Sequence, residues 1–420
     1  MRALEERIAA LEAERAQVDS ARETSSTEAD GATDTGGATD TGEATDTGDA
    51  TPAFTLGGWA EAYYAWNFNV PSNGITDLRG FDNRHNSFNL SIVAVDAQWD
   101  WQGVNGRITL QWGSTPSTYY LAETATPVAG SAIGPQDPQL WQFVQQAYVG
   151  YRIPIGGGLN VQAGLFLSPV GVEGLAVKDN WLYSRTNLFF GFPFYHTGVR
   201  ATYQVTDEVS VAAWLVNGWN TVTDNNDEKS FILQAAWSVP DVGGLTFNYV
   251  SGVERSTGAP EGRAWRHVFD LNGTLTPTTW LGFQGQLTGG FEPGTFGTET
   301  FLGGMLAAHV QPLDWLAFTA RGDFFWDRVA SNSLGTSSAI FWPVEWVSSF
   351  TAGVELRPHD HVSIRLEYRH DQAADAACDG AATQSCAYFR GTVPTDPTSG
   401  AFLRNASTQD TVTIGTTAWF

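Results

Sequence analysis

Long apolar runs are missing from this chain. Hydrophobic residues make up 42% of its 420 residues. No stretch, however, approaches the roughly 18 consecutive apolar residues that a transmembrane helix needs, so that kind of span is excluded. Positive charge is scarce: 22 Lys and Arg stand against 45 Asp and Glu, a formal net charge of −23. A surface of that sign repels a polyanion, which excludes nucleic acid as a partner. Cysteine is nearly absent, with two in the whole chain, Cys378 and Cys386. Their closeness in a loop-like stretch fits a small disulfide of an oxidising compartment, with a metal or redox pair as the alternative. No secretory signal is visible at Met1, because residues 1–19 alternate in charge and have no apolar core. A protein exported to the outer membrane needs one. The numbering is then expected to start at a mature or engineered end, or downstream of the true start.

What is present is aromatic and glycine-rich: 17 Trp, 12 Tyr, 25 Phe and 45 Gly. A soluble domain rarely carries that many Trp with so few charges. Three regions differ in composition. In residues 1–21, Leu4, Ile8, Leu11 and Val18 fall at seam positions of a heptad, with Arg15 in the remaining one. This predicts a short coiled-coil helix, marginal alone and more plausible in an oligomer, with a solvated charged helix as the alternative. Residues 22–53 repeat an Ala-Thr-Asp-Thr-Gly unit and hold almost nothing apolar, which predicts a flexible acidic linker. The acidity is not confined to these segments: residues 54–420 still carry 32 acids against 18 bases.

Residues 54–420 follow period two. Near the start, Phe54, Leu56, Ala60, Ala62, Tyr64 and Trp66 share one face, and Thr55, Trp59, Glu61 and Tyr63 the other. Later, Val362, Ile364, Leu366 and Tyr368 alternate with Ser363, Arg365, Glu367 and Arg369. A sheet with charge on one face and a continuous apolar surface on the other suits a barrel with lipid outside and water inside. Connections alternate in length. Gly, Pro, Asn and Asp clusters mark tight turns at 102–106, 154–158, 206–207, 240–244, 276–278, 312–314 and 358–360. Long loops are expected at 67–86, 113–140, 168–192, 219–229, 254–263, 291–298, 329–346 and 371–407. Seven short and eight long connections predict an all-β fold: a transmembrane antiparallel up-and-down β-barrel of sixteen strands. Trp99, Trp101, Trp112, Trp237, Trp280, Trp315 and Trp326 fall at strand ends, as interfacial girdles require, ordinary core Trp being the other reading.

Two stretches resemble the OmpL-like β-barrel porin family of bacterial outer membranes. One is Gly58-Trp59-Ala60-Glu61-Ala62-Tyr63-Tyr64 with Trp66-Asn67-Phe68. The other is Arg79-Gly80-Phe81-Asp82-Asn83-Arg84-His85-Asn86-Ser87-Phe88. The terminal Ala418-Trp419-Phe420 is similar to the signal that the barrel assembly machinery reads in such proteins. The resemblance implies a water-filled channel for passive diffusion of small hydrophilic solutes and ions. It also implies a homotrimer in contact with outer-membrane lipid and lipopolysaccharide, and no cofactor. The N-terminal region departs from the simplest members of the family. It motivates an alternative, a structural barrel that tethers the envelope through a periplasmic or peptidoglycan partner.

Strand parity turns Glu61, Arg107, Arg152, Arg200, Arg266, Asp270, Arg321, Asp323, Asp327, Glu355, Arg357, Arg365, Glu367 and Arg369 toward the lumen. Charge on the lipid face costs about 2–4 kcal/mol per Arg or Lys at the midplane, so the assignment is constrained. These residues either set a transverse field that tunes ion preference or form salt bridges that fill the lumen. In trimeric general porins the third long loop folds inward. By that likeness Glu173, Lys178, Asp179 and Arg185 are constriction candidates, and the aromatic run 188–192 favours insertion. Tyr148, Phe166 and Trp214 could pack between strands or form a sugar slide. Asp224-Asn225-Asn226-Asp227-Glu228 is either a solvated loop or a divalent-ion site. An enzyme is disfavoured: His85 and Ser87 sit in a loop, and the seven His show no catalytic arrangement. The strand ending at Phe420 should turn Val412, Ile414 and Ala418 to lipid and pair with the first strand, which abolishes both edges.

Overall fold

The computed structural model describes residues 52–120, 141–224, 226–374 and 386–420, all within one compact unit, Thr39–Phe420. The helix and linker expected over 1–21 and 22–53 fall outside the described residues, apart from Pro52 and Ala53. Cys378 also falls outside them.

Sixteen antiparallel strands form a closed barrel. They are β1 (Ala53–Asn67), β2 (Ser87–Trp101), β3 (Val104–Trp112), β4 (Val144–Ile153), β5 (Leu159–Leu167), β6 (Tyr195–Gln204), β7 (Val209–Val216) and β8 (Ser230–Val239). The second half comprises β9 (Gly243–Val253), β10 (Trp265–Thr278), β11 (Leu281–Gly294), β12 (Gly297–Leu313), β13 (Leu316–Arg328), β16 (Trp346–His359), β17 (Val362–Ala373) and β18 (Thr408–Trp419). Two further strands, β14 (Ser331–Asn332) and β15 (Gly335–Thr336), make a separate hairpin in the connection between β13 and β16.

Alternation decides which way each side chain faces. Along β17, Arg365, Glu367, Arg369 and Asp371 are buried, whereas Leu366 is 52% and Tyr368 44% exposed on the outer surface. Trp101, Trp112, Trp237, Trp280 and Trp315 are exposed near strand ends, as interfacial anchors are. At one end of the barrel the connections have two to five residues. In the turn 102–103 both residues have positive φ, 51° and 83°, and Gly103 adopts it without strain.

One expected long loop is absent. Residues 291–298 read as a loop from their Pro and Gly content, but β11 continues to Gly294 and β12 starts at Gly297. The register Glu292↔Glu299, Pro293↔Thr298, Gly294↔Gly297 makes a tight hairpin. Pro293 lies beyond Phe291, the last residue of β11 that pairs with β10. It therefore takes no donor from that ladder.

Closure joins β1 to β18 from Trp59↔Trp419 to Asn67↔Thr411. Thr411, Thr413 and Thr417 turn inward, and Ile414 and Phe420 outward. Beyond β18 the backbone of Phe420 exchanges hydrogen bonds with Gly58 at 3.0 and 3.2 Å. A Cβ on Gly58 would come within 2.8 Å of both the Phe420 ring and the Ala94 carbonyl oxygen. Gly58→Leu should therefore destabilise the closing seam by about 1–3 kcal/mol. A lower urea midpoint of the refolded barrel checks this, and an unchanged midpoint contradicts it.

Candidate functional site

The connection between β5 and β6, residues 168–194, turns into the barrel and packs on its inner wall. A backbone segment inside a barrel must have its N–H and C=O groups bonded, and here wall charges bond them. Glu61 accepts from the Val177 N–H at 2.6 Å. Glu367 accepts from the N–H groups of Tyr183 and Ser184, the latter at 3.1 Å. Asp323 accepts from the Asn187 N–H at 3.1 Å and from its side-chain amide at 2.8 Å. The arginines take the carbonyls. Arg321 donates to Ser184 O at 2.7 Å, Arg365 to Asn180 O at 3.0 Å, and Arg369 to Arg185 O. Farther round the wall, Asp270 accepts from Gly171 N at 3.3 Å and from Asn248, Asn272, Gln286 and Thr288.

The loop also braces itself. Glu173 accepts from the Thr186 N–H and hydroxyl at 2.8 and 2.6 Å and pairs with Arg321 at 2.5 Å. Thr186 caps the short helix Asn187–Gly191. Arg185 donates to the carbonyls of Tyr183 and Leu175 and lies over the rings of Phe81 and Phe189. Lys178 and Asp179 pair with each other at 2.7 Å and keep about a quarter of their side chains in solvent.

Loop side chains fit where the wall has none. A Cβ on Gly415 would stand 2.1 Å from the Tyr183 ring, and one on Gly353 2.5 Å from Leu182. Trp181 stacks on His309 with centroids 4.9 Å apart. Toward β5–β13 the contact becomes apolar: Leu188 and Phe192 join Phe166, Trp214, Phe301 and Phe325 in one buried cluster. A small crevice, partly open to solvent, lies against the loop between Trp181, Glu173, Gln284 and Arg321.

The expected lumen-facing residues thus fall into groups. Glu61, Arg321, Asp323, Arg365, Glu367, Arg369 and Asp270 are buried and hold the loop. Glu355 pairs with Arg365 at 2.8 Å and Arg357 at 3.2 Å. Asp327 accepts from the N–H groups of Phe341 and Trp342 and so holds the 329–345 connection. Arg266 pairs with Glu292 at 2.7 Å. Arg107, Arg152 and Arg200, on β3, β4 and β6, are only half-buried. The arginines of β13 and β17 bond loop carbonyls, and Arg321 also pairs with Glu173 of the loop. Tyr148, Phe166 and Trp214 pack around the Arg200 guanidinium. In the acidic loop after β7, Asp224 pairs with Lys229 and Glu228 with Arg263. His85 accepts from the Asn67 N–H, while Ser87 donates to Phe88 O. Cys386 is buried and disulfide-bonded.

Sequence reasoning missed Arg79 and Asp82 in the first long loop. Arg79 forms a buried cluster with Asp82 and, at 3.3 Å, Asp371. Both lie in the stretch that carries the family resemblance, and Asp371 continues the inward parity of β17, so signals existed. Burial pushes the Asp82 carboxyl up, but Arg79 outweighs it and holds it below the usual carboxylate range.

Two predictions follow from this geometry. Glu367→Ala leaves the buried N–H groups of Tyr183 and Ser184 without their acceptor, a loss of about 3–5 kcal/mol. Trypsin should then cut after Lys178 or Arg185 in the folded barrel, and unchanged resistance would contradict the clamp. A carboxyl held low in the folded state adds stability above its unfolded pKa and loses it as pH falls through the folded one. The thermal midpoint should therefore drop below about pH 4, and Asp82→Asn should flatten that drop. An identical pH profile in the variant would rule Asp82 out as its source.

The family model described as "Putative beta-barrel porin-2, OmpL-like" matches residues 53–418. Among solved structures, the outer-membrane channel DcaP of Acinetobacter baumannii superposes with a TM-score of 0.56 at 11% identity, covering 90% of this chain and 100% of that one. A loop-deletion mutant of OmpT of Vibrio cholerae gives 0.54 at 9%, covering 88% and 99%. OmpF of Salmonella typhi gives 0.50 at 12%, covering 87% and 97%. At such identities the likeness is one of fold. No curated protein matches the sequence. Family and fold point to a channel rather than an enzyme, and the chain belongs to the OmpL-like beta-barrel porin-2 family of outer-membrane channels.

Proposed function

We propose that this channel passes small hydrophilic solutes and ions by diffusion, along a route that loop 168–194 narrows. One observation carries the reading. The inner wall is buried where the loop covers it, on β13, β17, β18 and β1, but its charged groups on β3, β4 and β6 stay half-exposed. Sixteen strands enclose more space than side chains alone fill, and here a folded loop takes up part of it. The route then runs past Arg107 with Asp96 at 2.8 Å, Arg152 with Asp100 at 3.0 Å, and Arg200. The exposed Lys178–Asp179 pair is its loop-side border. In this reading Glu173 and Arg185 hold the constriction's shape, and the buried wall charges position it.

The short turns are taken as periplasmic and the long connections as external, as in outer-membrane barrels. Because β1 starts at the turn end, the segment before Ala53 would enter the periplasm. Phe420 would be the terminal feature read by the barrel assembly machinery, and a loop disulfide Cys378–Cys386 suits an exported protein. A homotrimer in contact with lipopolysaccharide is part of the proposal. OmpT of Vibrio cholerae has been solved in a trimer form.

Planar-bilayer recording tests the reading. The folded protein should give stable single-channel steps. Glu367→Ala, which loosens the loop, should raise the unit conductance by about half or more, since passage depends on channel width and lining. Silence from well-folded protein, or identical steps in the variant, would overturn it.

A further inference from the structure

Arg200 differs from its neighbours on the half-exposed wall. Arg107 and Arg152 each have an aspartate partner. Among the described residues, no carboxylate stands within ion-pair distance of Arg200. Its Nε donates to Gln162 Oε1 at 2.6 Å. Its guanidinium carbon lies 4.5 Å from the Phe166 ring centroid, 4.9 Å from Tyr148 and 5.2 Å from Trp214. Aromatic faces attract a guanidinium through their quadrupoles and fix its plane, yet they do not neutralise it.

The strand register builds this seat. Arg200 on β6 lies directly between Gln162 on β5 and Trp214 on β7. On β5 the inward position between Gln162 and Phe166 is Gly164, at φ 145°. A Cβ there would stand 2.2 Å from the Ala147 carbonyl oxygen and 2.7 Å from the Tyr148 Cα. Phe166 and Trp214 are buried in the cluster under the loop, whereas Arg200 and Tyr148 are half-buried. The cation is therefore held from one side and keeps partial contact with solvent on the other. On this wall Arg107 and Arg152 are balanced by Asp96 and Asp100. Arg200 leaves one positive charge in excess, inside a chain of net charge −23.

We propose that Arg200, oriented by Gln162 and its three rings, is a binding station for carboxylate-bearing solutes on the channel wall. A planar guanidinium fork matches a carboxylate bidentately, and a stacked one loses little freedom on binding. Half-exposed Tyr148 offers a flank to the solute's carbon skeleton. The station rests on the reading of this wall as solvent-filled.

Calorimetric titration of the full chain in detergent micelles tests it, with sodium propionate as probe and propionamide as its uncharged counterpart. Propionate should bind saturably and propionamide about tenfold or more weakly. Arg200→Gln should weaken propionate binding by a similar factor. Gln162→Glu keeps the cation and gives it an internal carboxylate, so it should abolish binding in a barrel that still folds. Undiminished binding in either variant, or equal binding of propionamide, would overturn the station. Conduction without Arg200-dependent binding would sink the station alone. Binding without conduction would sink the diffusion reading and leave the station standing.

Discussion

The structure depends on one constraint: a peptide segment inside a barrel must have its N–H and C=O groups bonded. Loop 168–194 meets it largely through six charges on one arc of the wall, with Asp270 a seventh farther round. Glu61, Asp323 and Glu367 accept its N–H groups, and Arg321, Arg365 and Arg369 bond its carbonyls. These residues sit on β1, β13 and β17, within one arc of the wall that runs β1, β18, β17, β16, β13. Burying charges is expensive unless each is matched, and here backbone groups and opposite charges do the matching. The arc and the loop are therefore complementary, and the remaining contacts follow from where the loop is pinned.

That pinning divides the lumen. On the clamped arc, Gly353 and Gly415 give space to Leu182 and Tyr183. From β13 across to β5 and β7, the loop's aromatic end packs into an apolar cluster with Phe325, Phe166 and Trp214. On β3, β4 and β6, outside that arc, the half-buried arginines keep contact with solvent. Charge inside this barrel thus has two physical roles, structural where the loop covers it and chemical where water reaches it.

Much of this was legible in the sequence. Period-two alternation and the spacing of turns gave sixteen strands, the inward parity of Arg365, Glu367 and Arg369, and the closure of β18 on β1. Residues 291–298 misled because Pro and Gly serve a two-residue hairpin as well as a long loop. The loop clamp was not legible. Its partners lie 116 to 185 residues apart, and parity says that Glu367 faces in, not that it meets the Tyr183 N–H. The same holds for Arg200: Tyr148, Phe166 and Trp214 could be noted as inward aromatics, but only the register across β4–β7 gathers them on one guanidinium.

The central claim is that the loop is fixed to the wall by backbone hydrogen bonds. Hydrogen–deuterium exchange of the folded protein in micelles reads those bonds directly. The account predicts that the N–H groups of Val177, Tyr183, Ser184 and Asn187 exchange as slowly as those of the barrel strands. Exchange of these four at the rate of exposed loop amides would contradict it.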